Sequence, residues 1–381
     1  MTAPASVSDF REGARRRLPK LLFDYVDGGS YAEATLRRNI SDLEALALRQ
    51  RVMVDVSQRS TSIELFGHKQ SMPVVLAPIG MGGMLARRGE VQAARAAQAA
   101  GVPFTLSTVG ICDMSEVAQA TTPPWYQLYM LRDRGYMGAL LDRARELGCP
   151  VLVFTVDLPV PGTRYRDRRN GLFGGSNTSA LSPRRVLDGL SHPAWLWDVH
   201  LNGKPHTFGN IASAVPDARG AAEFWPWVTN NFDTTLTWDH ISWIRERWPG
   251  PLVLKGVLDA EDAREAKRCG VDGLVVSNHG GRQLDGVLSG IKALPPIADA
   301  VGDDVTVLMD GGVRSGLDVV KALASGAKAC LLGRAWAFAL AAQGEKGVAS
   351  MLDIVRAEML TALALTGVPD IRDVNRSVLA L

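Results

Sequence analysis

The chain has 381 residues, 46% hydrophobic and 22% charged, enough for one large or two ordinary packed domains. Its 42 basic and 40 acidic side chains leave a net charge of +2, and no long basic tract interleaved with aromatics occurs, which argues against polynucleotide binding. The four cysteines, Cys112, Cys149, Cys269 and Cys330, form neither a CxxC pair nor a metal-like grouping, so disulfide and zinc frameworks are unexpected and a reducing cytoplasm fits.

Arg15-Arg16-Arg17 is followed by no apolar signal core, and the longest apolar stretch, 74–86, is interrupted by proline and glycine, so no membrane span is expected. Short β-branched or apolar runs then recur at 74–77, 103–106, 125–128, 151–155, 252–256, 273–277, 305–310 and 329–333. Amphipathic, alanine-rich stretches at 89–100, 133–147, 259–269 and 315–325 lie between or after them, and strands alternating with helices predict a parallel sheet. Eight such units in about 260 residues predict an α/β fold, a (β/α)8 TIM barrel, whose usual length is about 250 residues. An open doubly wound sheet is the alternative, because periodicity does not report closure. The chain, 1–381, is expected to form a single domain with its barrel core at about 74–340.

One interval is abnormal. Between Thr155 and Leu252 lie about a hundred residues where neighbouring repeats need twenty to thirty, so a long insertion, about 166–250, follows the fourth strand. It holds seven of the nine tryptophans, Trp195, Trp197, Trp225, Trp227, Trp238, Trp243 and Trp248, with Phe173, Phe208, Phe224 and Phe232 nearby. Stretches 174–183 and 212–222 are rich in small and turn-forming residues and read as loop, whereas 238–248 reads as a helix before the fifth strand. About half of the aromatics are expected to pack the insertion on the barrel; the rest, with Arg184 and Arg185, form a lid, a membrane-surface contact or a partner surface.

Barrel active sites sit at the C-terminal ends of strands. Polar residues occupy those ends here: Gln127 and Tyr129, Thr155 and Asp157, Lys255, Ser277 and His279, Asp310, then Gly333-Arg334. The sixth strand runs into Ser277-Asn278-His279-Gly280-Gly281-Arg282-Gln283, an imidazole and a guanidinium separated by two glycines. Histidine accepts a proton near neutral pH, arginine matches a carboxylate with a planar fork, and paired glycines let a flat ligand approach the backbone. The combination reads as a base beside an anion clamp, suited to proton abstraction from a small organic acid. A tight turn with a satisfied histidine is the bland alternative.

The seventh and eighth strands end in Asp310-Gly311-Gly312-Val313-Arg314 and Gly333-Arg334. In barrels these loops commonly bind phosphate through backbone N–H groups and a helix N-terminus, and arginine adds a charged fork. A phosphate anchor with a histidine base implies a phosphorylated cofactor or substrate. No GxGxxG opens a βαβ unit, so a nicotinamide site lacks its fingerprint and FMN is the simplest candidate. No metal site is expected.

With these segments on the page, the chain resembles the FMN-dependent 2-hydroxy acid oxidoreductase family, within it the bacterial respiratory L-lactate dehydrogenases. The likeness runs through Leu18-Pro19-Lys20, Asp24-Tyr25, Asp27-Gly28-Gly29, Arg37-Arg38-Asn39, Ser71-Met72-Pro73, Gly89-Glu90-Val91, Thr105-Leu106-Ser107-Thr108, Gln127-Leu128-Tyr129, Thr155-Val156-Asp157, Arg164-Tyr165-Arg166-Asp167 and Leu254-Lys255-Gly256 into the His279 and phosphate loops.

The resemblance implies His279 as catalytic base with Asp157 as its carboxylate partner; a carboxylate beside an imidazole favours the protonated form and strengthens the base. It implies Arg282 and Arg164 on the substrate carboxylate with help from Tyr25, and Tyr129 on the substrate oxygen. A solvated basic stretch is the alternative for Arg164, since Arg166, Arg168 and Arg169 follow it. Lys255 would stand at the N1 edge of the flavin, stabilising negative charge there, or would satisfy an internal carboxylate. Ser107, Gln127, Thr155 and Ser277 would hydrogen-bond the ring and ribityl chain, and Pro78-Ile79-Gly80 would place backbone against the ring.

The expected reaction is oxidation of an (S)-2-hydroxy acid to its 2-oxo acid, L-lactate to pyruvate first, by hydride transfer or through a carbanion; both routes need the same base. (S)-Mandelate is the competing substrate, because Gly80, Gly82 and Gly83 leave room near the ring and Val109 is small. The acceptor implied is a quinone or cytochrome, with oxygen as the alternative, and the resemblance further implies a homotetramer, cytoplasmic or peripheral on the cytoplasmic membrane face. A flavin-dependent isomerase, another phosphate-binding barrel or a non-catalytic binding protein would be the readings outside this chemistry.

Overall fold

An antiparallel hairpin, β1 (Ile63–Leu65) and β2 (His68–Gln70), precedes eight short runs of aliphatic residues that form parallel strands. These are β3 (Val74–Leu76), β4 (Thr105–Ser107), β5 (Trp125–Tyr129), β6 (Leu152–Thr155), β7 (Leu252–Val257), β8 (Gly273–Val276), β9 (Thr306–Met309) and β10 (Ala329–Leu332). This is a computed structural model, and it describes residues 3–172 and 183–380. The expectations for Phe173 and 174–182 lie outside the described residues, as do the side chains of Arg184 and Arg185.

Every position of β3, β4, β6, β8 and β10 is buried, because strands inside a ring of helices are covered on both faces and need no polar alternation. Hydrogen bonding follows the order β3-β10-β9-β8-β7-β6-β5-β4, and a parallel bridge from Leu76 to Phe104 joins the first strand to the last. The sheet therefore closes as a (β/α)8 barrel and the open doubly wound alternative falls. Side-chain caps start the outer helices: Asp133 accepts from Tyr136 N–H, Asp259 from Glu261, Ser289 from Lys292 and Ser315 from Asp318.

Three helices absent from the strand–helix count, Val7–Arg17, Lys20–Asp27 and Ala34–Glu44, precede the hairpin. The first packs on the C-terminal helix Arg334–Thr366, which breaks direction at Gly344. The other two reach the C-terminal end of the barrel: Asn39 and Asn278 exchange side-chain amide bonds of 2.8 and 2.7 Å, and Asp285 accepts the Ala34 and Thr35 N–H groups.

The insertion packs on the barrel more than its composition predicts. Trp195, Phe208, Phe224, Phe232 and Trp248 are buried, Trp225, Trp227, Trp238 and Trp243 are half-buried, and Trp197 is 69% exposed. Helix Asp239–Arg247 occupies the expected place before β7. The stretch 212–222, expected as loop, overlaps 3-10 turns at Gly209–Ala214 and Ala221–Phe224, where Ile211 and Phe224 are fully buried. Small residues supplied the turn and two apolar anchors tied it down, a long-range effect that local composition does not report.

Candidate active site

The strand ends converge on one cavity lined by Tyr25, Tyr129, Arg164, Lys255, His279 and Arg282, with the 78–81, 310–314 and 333–334 backbone completing it. Thr155, from the end of β6, also lines it. Ser107, Gln127, Ser277 and Asp157 sit one layer behind that lining, as partners of residues that face it or of one another.

His279 follows β8 in a left-handed conformation, φ 58°, which is costly for a non-glycine residue and characteristic of functional sites. Its N–H donates to Ser277 Oγ at 3.0 Å, and its Nδ1 lies 2.9 Å from Asp157 Oδ1. Asp157 can lie there because position 256 is glycine: at φ 111°, an added Cβ would sit 2.5 Å from the Asp157 Cβ. Burial alone would raise the Asp157 carboxyl, but the His279 and Lys255 charges and the His279 hydrogen bond hold it below the usual carboxylate range. The backbone oxygen of Asp157 accepts from Gln283 Nε2 at 2.7 Å, so the loop after β8 also braces the loop after β6.

Two guanidinium groups flank Tyr25, the Arg282 Cζ 4.8 Å and the Arg164 Cζ 5.8 Å from its ring centroid. Arg282 Nη1 donates to the carbonyls of Tyr25 and Gly28, and Arg164 lies 3.2 Å from Asp167. Burial, reinforced by Arg282, lowers Arg164 to about 10. The solvated-stretch alternative for Arg164 does not hold: Arg168 and Arg169 are exposed and Arg166 pairs with Asp27 and Glu33, but Arg164 turns into the cavity. Burial and the nearby Asp157 raise the Tyr129 phenol, keeping it a neutral hydrogen-bond donor.

Lys255 meets the internal-carboxylate alternative and also faces the cavity. Its Nζ donates to Ser277 Oγ at 2.9 Å and lies 2.9 Å from Asp310 Oδ2, and the residue still lines the cavity. Burial would lower the ammonium, yet Asp310 and Asp157 together raise it, so it is held as a cation. Ser107 Oγ donates to Gln127 Oε1 at 3.0 Å.

Several buried polar atoms have no hydrogen-bond partner: Gln127 Nε2, Thr155 Oγ1 and Asp310 Oδ1. A buried polar atom needs a partner, and these three belong to residues at the strand ends that line or back the cavity. Arg334 is buried and Arg314 half-buried, neither in an ion pair among the described residues, and burial lowers Arg314 to about 10 and Arg334 well below its ordinary value despite the more distant Asp318, Asp27 and Glu33. Two desolvated cations without a direct carboxylate partner suit a bound anion. Gly311 and Gly312 sit at φ 90° and 89°, and a Cβ on Gly312 would fall 1.8 Å from the Asn39 carbonyl oxygen. Helix Arg334–Thr366 begins at one of these arginines without a side-chain cap and offers N-terminal amides, whereas the first amides of Gly316–Ala324 are taken by Glu358 and Ser315. This donor set fits the phosphate, ribityl and ring of FMN. Arg334 also braces the fold, donating to the carbonyls of Val26, Gly28 and Gly280 at 2.8, 2.8 and 2.9 Å.

The room expected from three glycines shrinks to one. Gly80 lines the cavity beside Val109, but Gly82 and Gly83 abut Glu90 and Ile111 instead. Glu90, quoted in the sequence without a role, is 1% exposed and accepts from the Ile111 and Cys112 N–H groups at 2.8 and 3.4 Å, pinning the loops after β3 and β4 together. Asn39, Asn278 and Gln283 likewise escaped sequence reasoning, because single amides carry no periodicity. The aromatic lining from the insertion, Phe208, Trp225 and Phe232, was foreseen as packing, a lid, a membrane-surface contact or a partner surface, not as cavity wall.

A family model described as FMN-dependent dehydrogenase matches residues 14–381. The L-lactate dehydrogenase of Caulobacter sp. (strain K31) is 58% identical over 377 residues, 99% of this chain and 98% of that protein. The L-lactate dehydrogenase of Haemophilus influenzae (strain ATCC 51907 / DSM 11121 / KW20 / Rd) is 56% identical over 376 residues, 98% of each chain. Among solved structures, the monotopic membrane protein (S)-mandelate dehydrogenase superposes with a TM-score of 0.93 at 36% identity over the whole of both chains. A mandelate oxidase superposes with a TM-score of 0.83 at 37% identity, covering 99% of this chain and 98% of the other.

Proposed function

The chain belongs to the FMN-dependent dehydrogenase family, and from that membership we propose that it oxidises L-lactate to pyruvate, an (S)-2-hydroxy acid to its 2-oxo acid. Its relatives at 56–58% identity are L-lactate dehydrogenases, whereas the mandelate enzymes it superposes on are 36–37% identical, which favours lactate over mandelate. The observation that carries the reading is the meeting of the His279–Asp157 pair with Arg164, Arg282 and Tyr25 in one cavity.

In this reading Arg282 and Arg164, both close to the Tyr25 ring, grip the substrate carboxylate. His279 takes the substrate proton on Nε2 while Asp157 holds the Nδ1 proton and the ring orientation. Tyr129 donates to the oxygen where charge changes. FMN, when bound, would supply the two-electron sink; Arg314 and Arg334 would hold its phosphate, Gly311 and Gly312 let the loop pack against Asn39 beside them, and Lys255 would meet its ring. Gln127, Thr155 and Ser277 supply hydrogen bonds, with Ser107 orienting Gln127.

Anaerobic mixing with L-lactate tests cofactor, reaction and substrate together: the yellow protein should bleach. Colourless protein that releases no flavin on denaturation, or kcat/KM for (S)-mandelate tenfold above that for L-lactate, overturns the reading. Arg314→Ala should weaken FMN retention by about 10–100-fold, the usual loss for a charge-assisted phosphate contact, measured as flavin lost on ultrafiltration.

The electrons pass to a quinone or cytochrome in this reading, at a membrane surface. No described helix is long and apolar enough to cross a membrane. Yet Leu187, Leu190, Trp197 and Leu201 are 66%, 59%, 69% and 51% exposed on helical segments Pro183–Leu190 and Leu196–Leu201. Asp188 and Asp198 tie these segments to Lys20 and Arg17, next to Arg15 and Arg16, so the apolar surface is bordered by arginines and lysine paired with Glu12, Asp24 and Asp198. An apolar surface with such a polar border suits the headgroup region of a bilayer. Leu187→Ser with Trp197→Ser should cut recovery with floated anionic vesicles by about tenfold at unchanged flavin content, given the apolar area removed; equal recovery would remove the surface from the membrane reading. A homotetramer is part of the same proposal and is checked by light scattering.

A further inference from the structure

The cavity wall combines two chemistries, and a small hydroxy acid uses only one of them. Arg164, Arg282 and His279 suit a carboxylate and a proton, but the wall also includes Leu158, Phe208, Trp225, Val228 and Phe232. Phe208, Val228 and Phe232 are 3%, 2% and 6% exposed, whereas Leu158 and Trp225 are half-buried and Pro161 is exposed, so hydrocarbon reaches the mouth. The side chain of L-lactate is a single methyl group, too small to cover such a wall. An apolar mouth also does nothing to attract a charged acid.

The reaction requires a second ligand. Conversion of the hydroxy acid to the oxo acid releases two electrons and two protons per turnover, and these leave by reducing an oxidant. Phe208, Trp225 and Val228 come from the insertion, the segment that also carries the exposed Leu187, Leu190, Trp197 and Leu201. One stretch of chain thus builds both an outward apolar surface and the inner apolar wall.

We propose that the wall formed by Leu158, Phe208, Trp225 and Val228 is the binding surface for the electron acceptor, a planar apolar quinone that occupies the cavity mouth once the oxo acid has left. This rests on the quinone reading of the acceptor given above. Quinone takes up the two electrons and two protons to become quinol, so atoms and charge balance over the cycle. Because acid and quinone share one cavity, they bind alternately.

The test uses flavin-loaded full-length protein. A non-reducible quinone analogue, an alkyl hydroxyquinoline N-oxide, is titrated with the flavin absorbance as readout, with and without oxalate as a stand-in for the acid. Mutually exclusive binding is expected; simultaneous binding of both overturns the shared site. Trp225→Gln should weaken analogue binding and raise the KM for a short-chain ubiquinone by about tenfold, as expected for losing an aromatic face. Its loss with ferricyanide as acceptor should be at least fivefold smaller, and Trp225→Phe should restore quinone turnover. Equal losses with both acceptors overturn the proposal, as does a Trp225→Gln effect confined to 2-hydroxy acids with large side chains. Wild-type protein that turns over with ferricyanide but not with ubiquinone would instead sink the quinone reading on which the proposal stands.

Discussion

Replacing His279 by alanine is expected to abolish anaerobic flavin bleaching by L-lactate while the protein stays yellow. A positioned general base contributes about 10²–10⁴-fold, and among the described residues no other histidine lines the cavity, so the rate of flavin reduction should fall by at least that range. The orientation depends on one bond, Nδ1 to Asp157 Oδ1 at 2.9 Å, which leaves Nε2 as the acceptor. Alanine tolerates the left-handed backbone at position 279 poorly, so His279→Asn, a better fit to φ 58°, is the companion variant. Stopped-flow absorbance of both variants checks the expectation. Loss of flavin from both would recast His279 as structural, and bleaching at the wild-type rate would exclude it as the base.

Removing the guanidinium of Arg282 is expected to lower kcat/KM for L-lactate by about 10³-fold, since unpairing a charge partner in a desolvated site costs roughly 2–5 kcal/mol. Arg282 Nη1 is anchored on the carbonyls of Tyr25 and Gly28, so the fork is held rigidly against the ligand and loses little entropy on binding. Arg282→Met should therefore weaken oxalate binding in parallel with the KM for lactate. Arg282→Lys should recover part of both, because it restores charge without the planar fork. If oxalate affinity in Arg282→Met stays within about twofold of wild type, the carboxylate clamp lies elsewhere, with Arg164 as the remaining cation.

Much of this site was legible residue by residue. The eight aliphatic runs became β3 to β10 with no boundary shifted by more than two residues, because fully buried parallel strands are marked by continuous hydrophobicity. Chemistry at strand ends was equally readable, since in a barrel the residue after a strand points to the same rim. Tyr25 was expected in the site through the family resemblance alone; that it rides on a helix packed at the barrel rim, and that Asn39 on the next helix closes against Gly311 and Gly312, was not foreseen. Nothing in their local pattern says what they pack on.

The pinning role of Glu90 and the brace formed by Arg334 were hidden for the same reason. Each is a polar group whose partners are backbone atoms far away in sequence, and backbone atoms leave no trace in residue identity. The supposed space at Gly82 and Gly83 shows the converse error: a missing Cβ means close approach, and folding decided that Glu90 and Ile111 fill the space.

Residue order alone thus carried the barrel and singled out His279, Arg282 and the two glycine–arginine loops as candidates, because strand burial, acid–base type and glycine placement are properties of individual positions. Closure through the Leu76–Phe104 bridge, the 2.9 Å contact of His279 with Asp157, the burial of Arg164 away from its basic neighbours and the apolar wall lent by the insertion came only with the fold. These depend on distances between residues far apart in the chain, and packing against the whole molecule sets them.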